Sequence, residues 1–294
     1  MSASTSSARQ RHSGLSRVRG WPPLAKIAAG VAGAAIVAGA GLTLLSGGAA
    51  FAATKPAWFM TASNVQSLSQ TDSATAKHFF NTASAFGAGA SLVKTPVQAG
   101  YATTPVLNYT SYAQFASDIS SGAITYPYKW VMYDPEDWSQ TPVGEQKNPV
   151  KYMELFGQLA HAHGLKVVEA PAMDLCSVSG TLLPRNSGET CAQWFARVNI
   201  AGGAAADGNI FVLQDESNTN NLSVYDSLYT TAAAQARSAN SAVSVYSEVS
   251  TANGTAAQMT AAAQSISPDG MYVAAPGAVP QADQFFKSMK AAGY

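Results

Sequence analysis

Short apolar runs alternate with longer amphipathic stretches through most of this chain. Ala57–Thr61, Ser91–Thr95, Val106–Thr110, Lys129–Pro135, Lys166–Ala170, Ile210–Gln214, Val243–Glu248 and Gly270–Ala274 read as strands, being brief and bounded by turn formers. Between the later runs the spacing predicts helices. Tyr112–Ser121 has Thr110 or Ser111 as its cap and Gly122 as its stop. Asn148-Pro149 opens a helix that ends near His163, with Gly164 beyond it. Thr190 caps Cys191–Val198; Ser223–Ala239, Ala256–Ile266 and Gln281–Ala292 follow. A polar, Ser/Thr-rich helical segment runs from the first strand to about Ala85, and Phe86–Gly89 reads as a glycine-rich break.

Repeated strand–helix units imply parallel strands, because each crossover needs a helix. Eight such units in residues 53–294 predict an α/β fold, a single (β/α)8 TIM-like barrel. The rhythm is weakest in the first third, where the loop before Val106 has no helical pattern. A barrel distorted there, or an open doubly wound sheet, fits the same order of elements.

Residues 1–52 stand apart. They hold Arg9, Arg11, Arg17, Arg19 and Lys26 and no acid, then an apolar run from about Ile27 to Leu45 and Ala50-Phe51-Ala52. That is the pattern of a secretory signal peptide cut after Ala52. The same run is long enough to remain as an N-terminal membrane anchor, with the domain outside and the basic leader in the cytoplasm. The domain is thus expected to be extracellular, secreted or tethered. The full chain balances 17 basic against 17 acidic residues, so removing the five basic residues of the leader leaves about −5. No basic patch for nucleic acid remains. The two cysteines, Cys176 and Cys191, are expected to pair in an exported chain. The expected assembly is a monomer.

The candidate chemistry lies at the strand ends. In KWVMYDPEDW the strand closes on Asp134 and Glu136, which alternation places on one face with Met132 and Trp130. Pro135 cannot donate to a sheet ladder, so the strand stops there. Gln214 and Glu216 close the next-but-one strand on the face of Val212, and Tyr246 and Glu248 close another on the face opposite Val243 and Val245. Glu169 ends KVVE, and Tyr272 lies on the last strand. In a parallel barrel these ends meet at one mouth. Paired carboxylates with aromatic neighbours suit glycoside hydrolysis, one acid protonating the leaving oxygen and the other attacking the sugar or activating water. The catalytic candidates are Glu136, Glu248, Glu216 and Asp134. Trp138, Tyr246, Tyr272, Gln214 and Glu169 are candidates for binding an extracellular carbohydrate or another small ligand. A carboxylate at a strand end also caps helices or pairs across a barrel, and Asp137, Asp174 and Asp215 fit turns better. A non-catalytic glycan-binding or cell-surface barrel would carry the same aromatics.

Other chemistries lack their residues. His161 and His163 are two apart and do not share a helix face. No G-x-S-x-G elbow, Walker loop or strand-led G-x-G-x-x-G fingerprint occurs. No metal or cofactor is implied.

Counted along the eight strands, Glu136 ends the fourth and Glu248 the seventh. That resembles the acid/base and nucleophile positions of the large retaining glycosidase clan built on this barrel, although those families carry Asn before the acid where this chain has Pro135. The segment YDPEDWSQTPVGEQKNP followed by LAHAHGLKVVEAPAMDL, about Val131–Leu175, also resembles a group of secreted actinobacterial proteins. They share Y-D-P-E-x-W, T-P-x-x-E-Q and a helix ending A-H-x-H-G-L. The resemblance implies a TIM-barrel, glycoside-hydrolase-like domain with no established substrate, and adds Glu145 and Gln146 as mouth residues.

Overall fold

The computed structural model describes residues 56–90 and 101–294. The signal or anchor segment and the expected strand Ser91–Thr95 lie outside them. Within the described residues eight parallel strands close into a barrel in the order β1 to β8. They are β1 (Ala57–Thr61), β2 (Phe86–Gly89), β3 (Thr104–Tyr109), β4 (Trp130–Tyr133), β5 (Lys166–Glu169), β6 (Ile210–Leu213), β7 (Ser244–Ser250) and β8 (Gly270–Ala274). β8 closes on β1 through Trp58 beside Met271 and Phe59 beside Tyr272.

Helices α1 (Ala62–Thr71) and α2 (Ser73–Phe80) follow β1, and α3 (Tyr112–Ser121) follows β3. After β4 come a single turn, α4 (Val143–Gln146), and α5 (Pro149–Ala162). α6 (Cys191–Arg197) and α7 (Ile200–Asp207) separate β5 from β6. The later strands are followed by α8 (Leu222–Ala239), α9 (Ala256–Ser265) and α10 (Val279–Ala291). Ser111 caps α3 through its hydroxyl, and Gly122 ends it in the left-handed region at φ 67°. Thr190 and Thr255 form capping boxes with Gln193 and Gln258.

Two local readings change, and one holds. Phe86–Gly89 is a strand rather than a break, paired with both β1 and β3. Phe86 and Ala88 face the interior, while Gly87 and Gly89 have no side chains to reveal the alternation. Between β2 and β3 the described residues contain no helix. α7, which the spacing does not mark, is a run of small apolar residues buried between α5 and α8, so it has no polar face to set a period.

The strands divide the core in two. Phe59, Phe86, Val106, Met132, Val168, Ile210, Val212 and Tyr246 fill the barrel, and a larger layer packs the outer wall against the helices. Tyr246 lies so close over β8 that a Cβ on Gly270 would come within 2.4 Å of its ring. Cys176 and Cys191 form a disulfide across a separation of 15 residues, worth about 3 kcal/mol in the chain-entropy account. It ties the loop after β5 to the start of α6. No described helix is long and apolar enough to cross a membrane.

Candidate active site

β4 delivers the central pair. Its pleat sends Trp130 and Met132 inward, and the same parity carries Asp134 to the carboxyl-end mouth. The ladder persists one residue past the strand, since Asp134 N–H donates to the Tyr109 carbonyl at 2.8 Å. Two amides then hold the Asp134 carboxylate. Gln214 Nε2 donates to Oδ1 at 2.5 Å and also to the Ala170 carbonyl at 2.6 Å, and Asn108 Nδ2 donates to Oδ2 at 3.3 Å. Burial raises the Asp134 pKa to about 6, with both amides pulling the other way.

Glu136 has no such support. Burial, and then the neighbouring charges of Asp134, Asp174 and Glu216, push its pKa up to about 8. Its loop is pinned by Thr141, whose hydroxyl oxygen accepts from Glu136 N–H at 3.2 Å and from Trp138 Nε1 at 2.9 Å. Gln146 braces the same loop by donating to the Trp138 and Thr141 carbonyls at 2.6 and 3.1 Å. Asp137 N–H donates to Asp174 Oδ1 at 3.0 Å, joining the β4 and β5 loops. Half-buried Trp138 borders a groove of about 390 Å³ with Asn108, Thr110, Gln114 and Gln140.

Glu216 and Glu248 complete the cluster. Glu216 opens a short 3₁₀ turn after β6, and burial raises its pKa, with Asp174 adding to the effect. Glu248 shares the inward face of β7 with Tyr246 and pairs in register with Tyr272. Burial holds its pKa well above the carboxylate range, and the charges of Glu216, Asp134, Asp215 and Glu136 add to that. Burial, and then the charges of Glu248, Asp134, Glu136 and Glu216, raise the Tyr272 phenol. Tyr272 also packs on Phe59, ring centres 4.9 Å apart.

Behind Glu248 the wall carries a second network. Ser247 Oγ lies 3.0 Å from Asp215 Oδ1 and 2.8 Å from the Tyr225 hydroxyl, which donates to the Glu248 carbonyl at 3.1 Å. Ser247 Oγ donates to Asp215 Oδ1, and burial raises the pKa of the fully buried Asp215 carboxyl well above its usual value while that bond pulls the other way. A run of hydrogen bonds thus fixes the backbone that carries Glu248.

Asp134, Glu136, Gln214, Glu216, Glu248 and Tyr272 are therefore brought together, with Trp138 at the rim. Four expected residues act elsewhere. Glu169 lies on the same side of β5 as Val167, so it points into the sheet–helix layer beside Asp207 and Gly208. Tyr246 fills the barrel one inward position below Glu248, against Phe86. Glu145 accepts from Ser111 Oγ, the Tyr112 and Ala113 N–H groups and the Tyr133 hydroxyl, serving the N-terminus of α3. Gln146 acts on loop carbonyls, as above.

Asn108 and Thr141 escape the sequence reading, and Asp174, read there as a turn residue, reaches the site. Asn108 had a signal, since it stands two after inward Val106 on β3. Asp174 and Thr141 had none, because loop residues carry no period. No protein-family model matches the chain, and no curated protein matches it.

Proposed function

We propose that the barrel mouth hydrolyses glycosidic bonds of an extracellular glycan, with Glu136 as proton donor and Glu248 or Glu216 as the partner carboxylate. The observation that carries this reading is the unequal environment of two carboxyls two residues apart. Asp134, clamped by two amides, ionises first at about 6, and its charge helps keep Glu136 protonated to about 8. Carboxyls pushed apart in this way are suited to acid and base work near neutral pH. Glu136 gives its proton to the glycosidic oxygen as the anomeric C–O bond breaks. The partner carboxylate then forms a glycosyl ester that water cleaves, or takes a proton from the attacking water, according to the carboxyl separation. Trp138 and Tyr272 offer faces for sugar rings. The disulfide fits the oxidising space outside a cell.

The test compares the protein with its Glu136→Gln, Glu216→Gln and Glu248→Gln variants on a panel of bacterial and plant polysaccharides, recording reducing ends and binding. Loss of turnover by about 100-fold or more in Glu136→Gln and one partner variant supports the reading and assigns the pair. Binding without turnover, unchanged by any of the substitutions, replaces it with a glycan-binding barrel.

A further inference from the structure

Glu248 is 7% exposed, faces the mouth, and its carboxyl oxygens make no hydrogen bond to the described residues. Glu216 Oε2, also buried, has no hydrogen-bond partner among the described residues either. Asp134, Glu136 and Asp174 act on these two or on each other by charge, and every such interaction is repulsive. The ion pairs among the described residues, Arg197–Glu189, Arg237–Asp269 and Lys287 with Asp72 and Asp283, all lie elsewhere. A carboxylate that attacks a sugar or activates water must be ionised, yet the described protein around Glu248 supplies no positive charge to favour that form.

The missing charge can come from the substrate. Among the described residues, no three of the acids converge as metal ligands do. Carboxyls spread over the ends of β4, β6 and β7 match positive charges distributed along a chain better than a single ion. Rim residue Asp174 also borders a second groove of about 440 Å³ with Ser177, Ser217 and Asn218.

We propose that the mouth takes a glycan bearing free amino groups, with a substrate ammonium against Glu248 and Glu216 and its sugar rings against Trp138 and Tyr272. This rests on the glycan reading above and names the substrate class. The bound ammonium then serves two purposes. It pairs with carboxyls that the fold leaves unpaired, and it draws the partner carboxylate into its ionised, reactive form. A neutral or N-acetylated glycan does neither, and a uronate glycan adds to the repulsion.

The full chain is titrated calorimetrically, and assayed for new reducing ends, with hexamers of glucosamine, N-acetylglucosamine, glucose and galacturonate at slightly acidic pH. The glucosamine hexamer is expected to bind and turn over at least about tenfold better than the others. That preference should shrink as salt rises, since the attraction is between charges at an open mouth. Asp174→Asn keeps the acceptor for Asp137 N–H and removes one rim charge. It should narrow the preference by about two- to fivefold, the range for one exposed ion pair. Equal or better turnover of the glucose or N-acetylglucosamine hexamer overturns the amino-glycan proposal and leaves the hydrolase reading standing. Turnover of the galacturonate hexamer alone does the same. Neither binding nor turnover with any of the four sinks both.

Discussion

Replacing Glu169 by Met tests whether the wall of the barrel hides a carboxyl that must stay uncharged. Glu169 is fully buried, and neither of its oxygens has a hydrogen-bond partner among the described residues. Burial, with the nearby Asp207 charge, raises its pKa well above the ordinary 4.5. The folded state therefore binds a proton that the unfolded chain releases above 4.5, and stability falls as pH rises through the interval between the two pKa values. By linkage the loss grows by at most about 1.4 kcal/mol for each pH unit above the unfolded value. Below 4.5 this loss is absent, and it stops growing once pH passes the folded value. Met fills similar space with no polar atom, so Glu169→Met should also recover roughly 1–3 kcal/mol of unpaired-group cost at every pH. Thermal melts of both proteins between about pH 4 and 7 are the assay, each kcal/mol being worth about 2–4 °C in a domain of this size. The variant should melt higher throughout, with a gap that widens as pH rises. A gap that is constant with pH would refute a buried, protonated Glu169.

Three further outcomes follow from the site and the core. Gln214→Leu removes the nearer amide from Asp134; because that bond favours the charged form, the Asp134 pKa should move above about 6, which an NMR pH titration of its carboxyl reads directly. Asp215→Asn keeps an oxygen that can accept from Ser247 and should melt within about 1 kcal/mol of the parent, whereas Asp215→Leu removes that acceptor and should cost about 1–3 kcal/mol. Gly270→Ala drives a Cβ to 2.4 Å from the buried Tyr246 ring, and denaturant unfolding should register a loss of about 1–3 kcal/mol from overpacking.

Much of the barrel is written locally. The spans of β1 and β8, the full span of α3, the caps of α3 and α6, and the stop at Gly122 are set by side chains within a few residues of one another. Parity alone places Asp134, Gln214, Glu216 and Glu248 on the inward face, because a strand's period of two holds whatever its neighbours are. The same rule, applied to KVVE, puts Glu169 opposite Val168 and outside the mouth. Tertiary structure decided the rest. β2 is recognisable only by its ladder partners, since half its residues are glycine and have no face to show. α7 is helical because it is buried between two other helices. Asp174 and Asn108 join the site because closing the barrel brings separate strand ends and loops within hydrogen-bonding reach, whereas Thr141 reaches Glu136 and Trp138 within its own loop. The unequal environments of Asp134 and Glu136 likewise arise from burial and from partners on other strands, above all Gln214, 80 residues further along the chain. A sequence supplies the carboxyls and their facing; only the closed barrel sets which of them holds its proton.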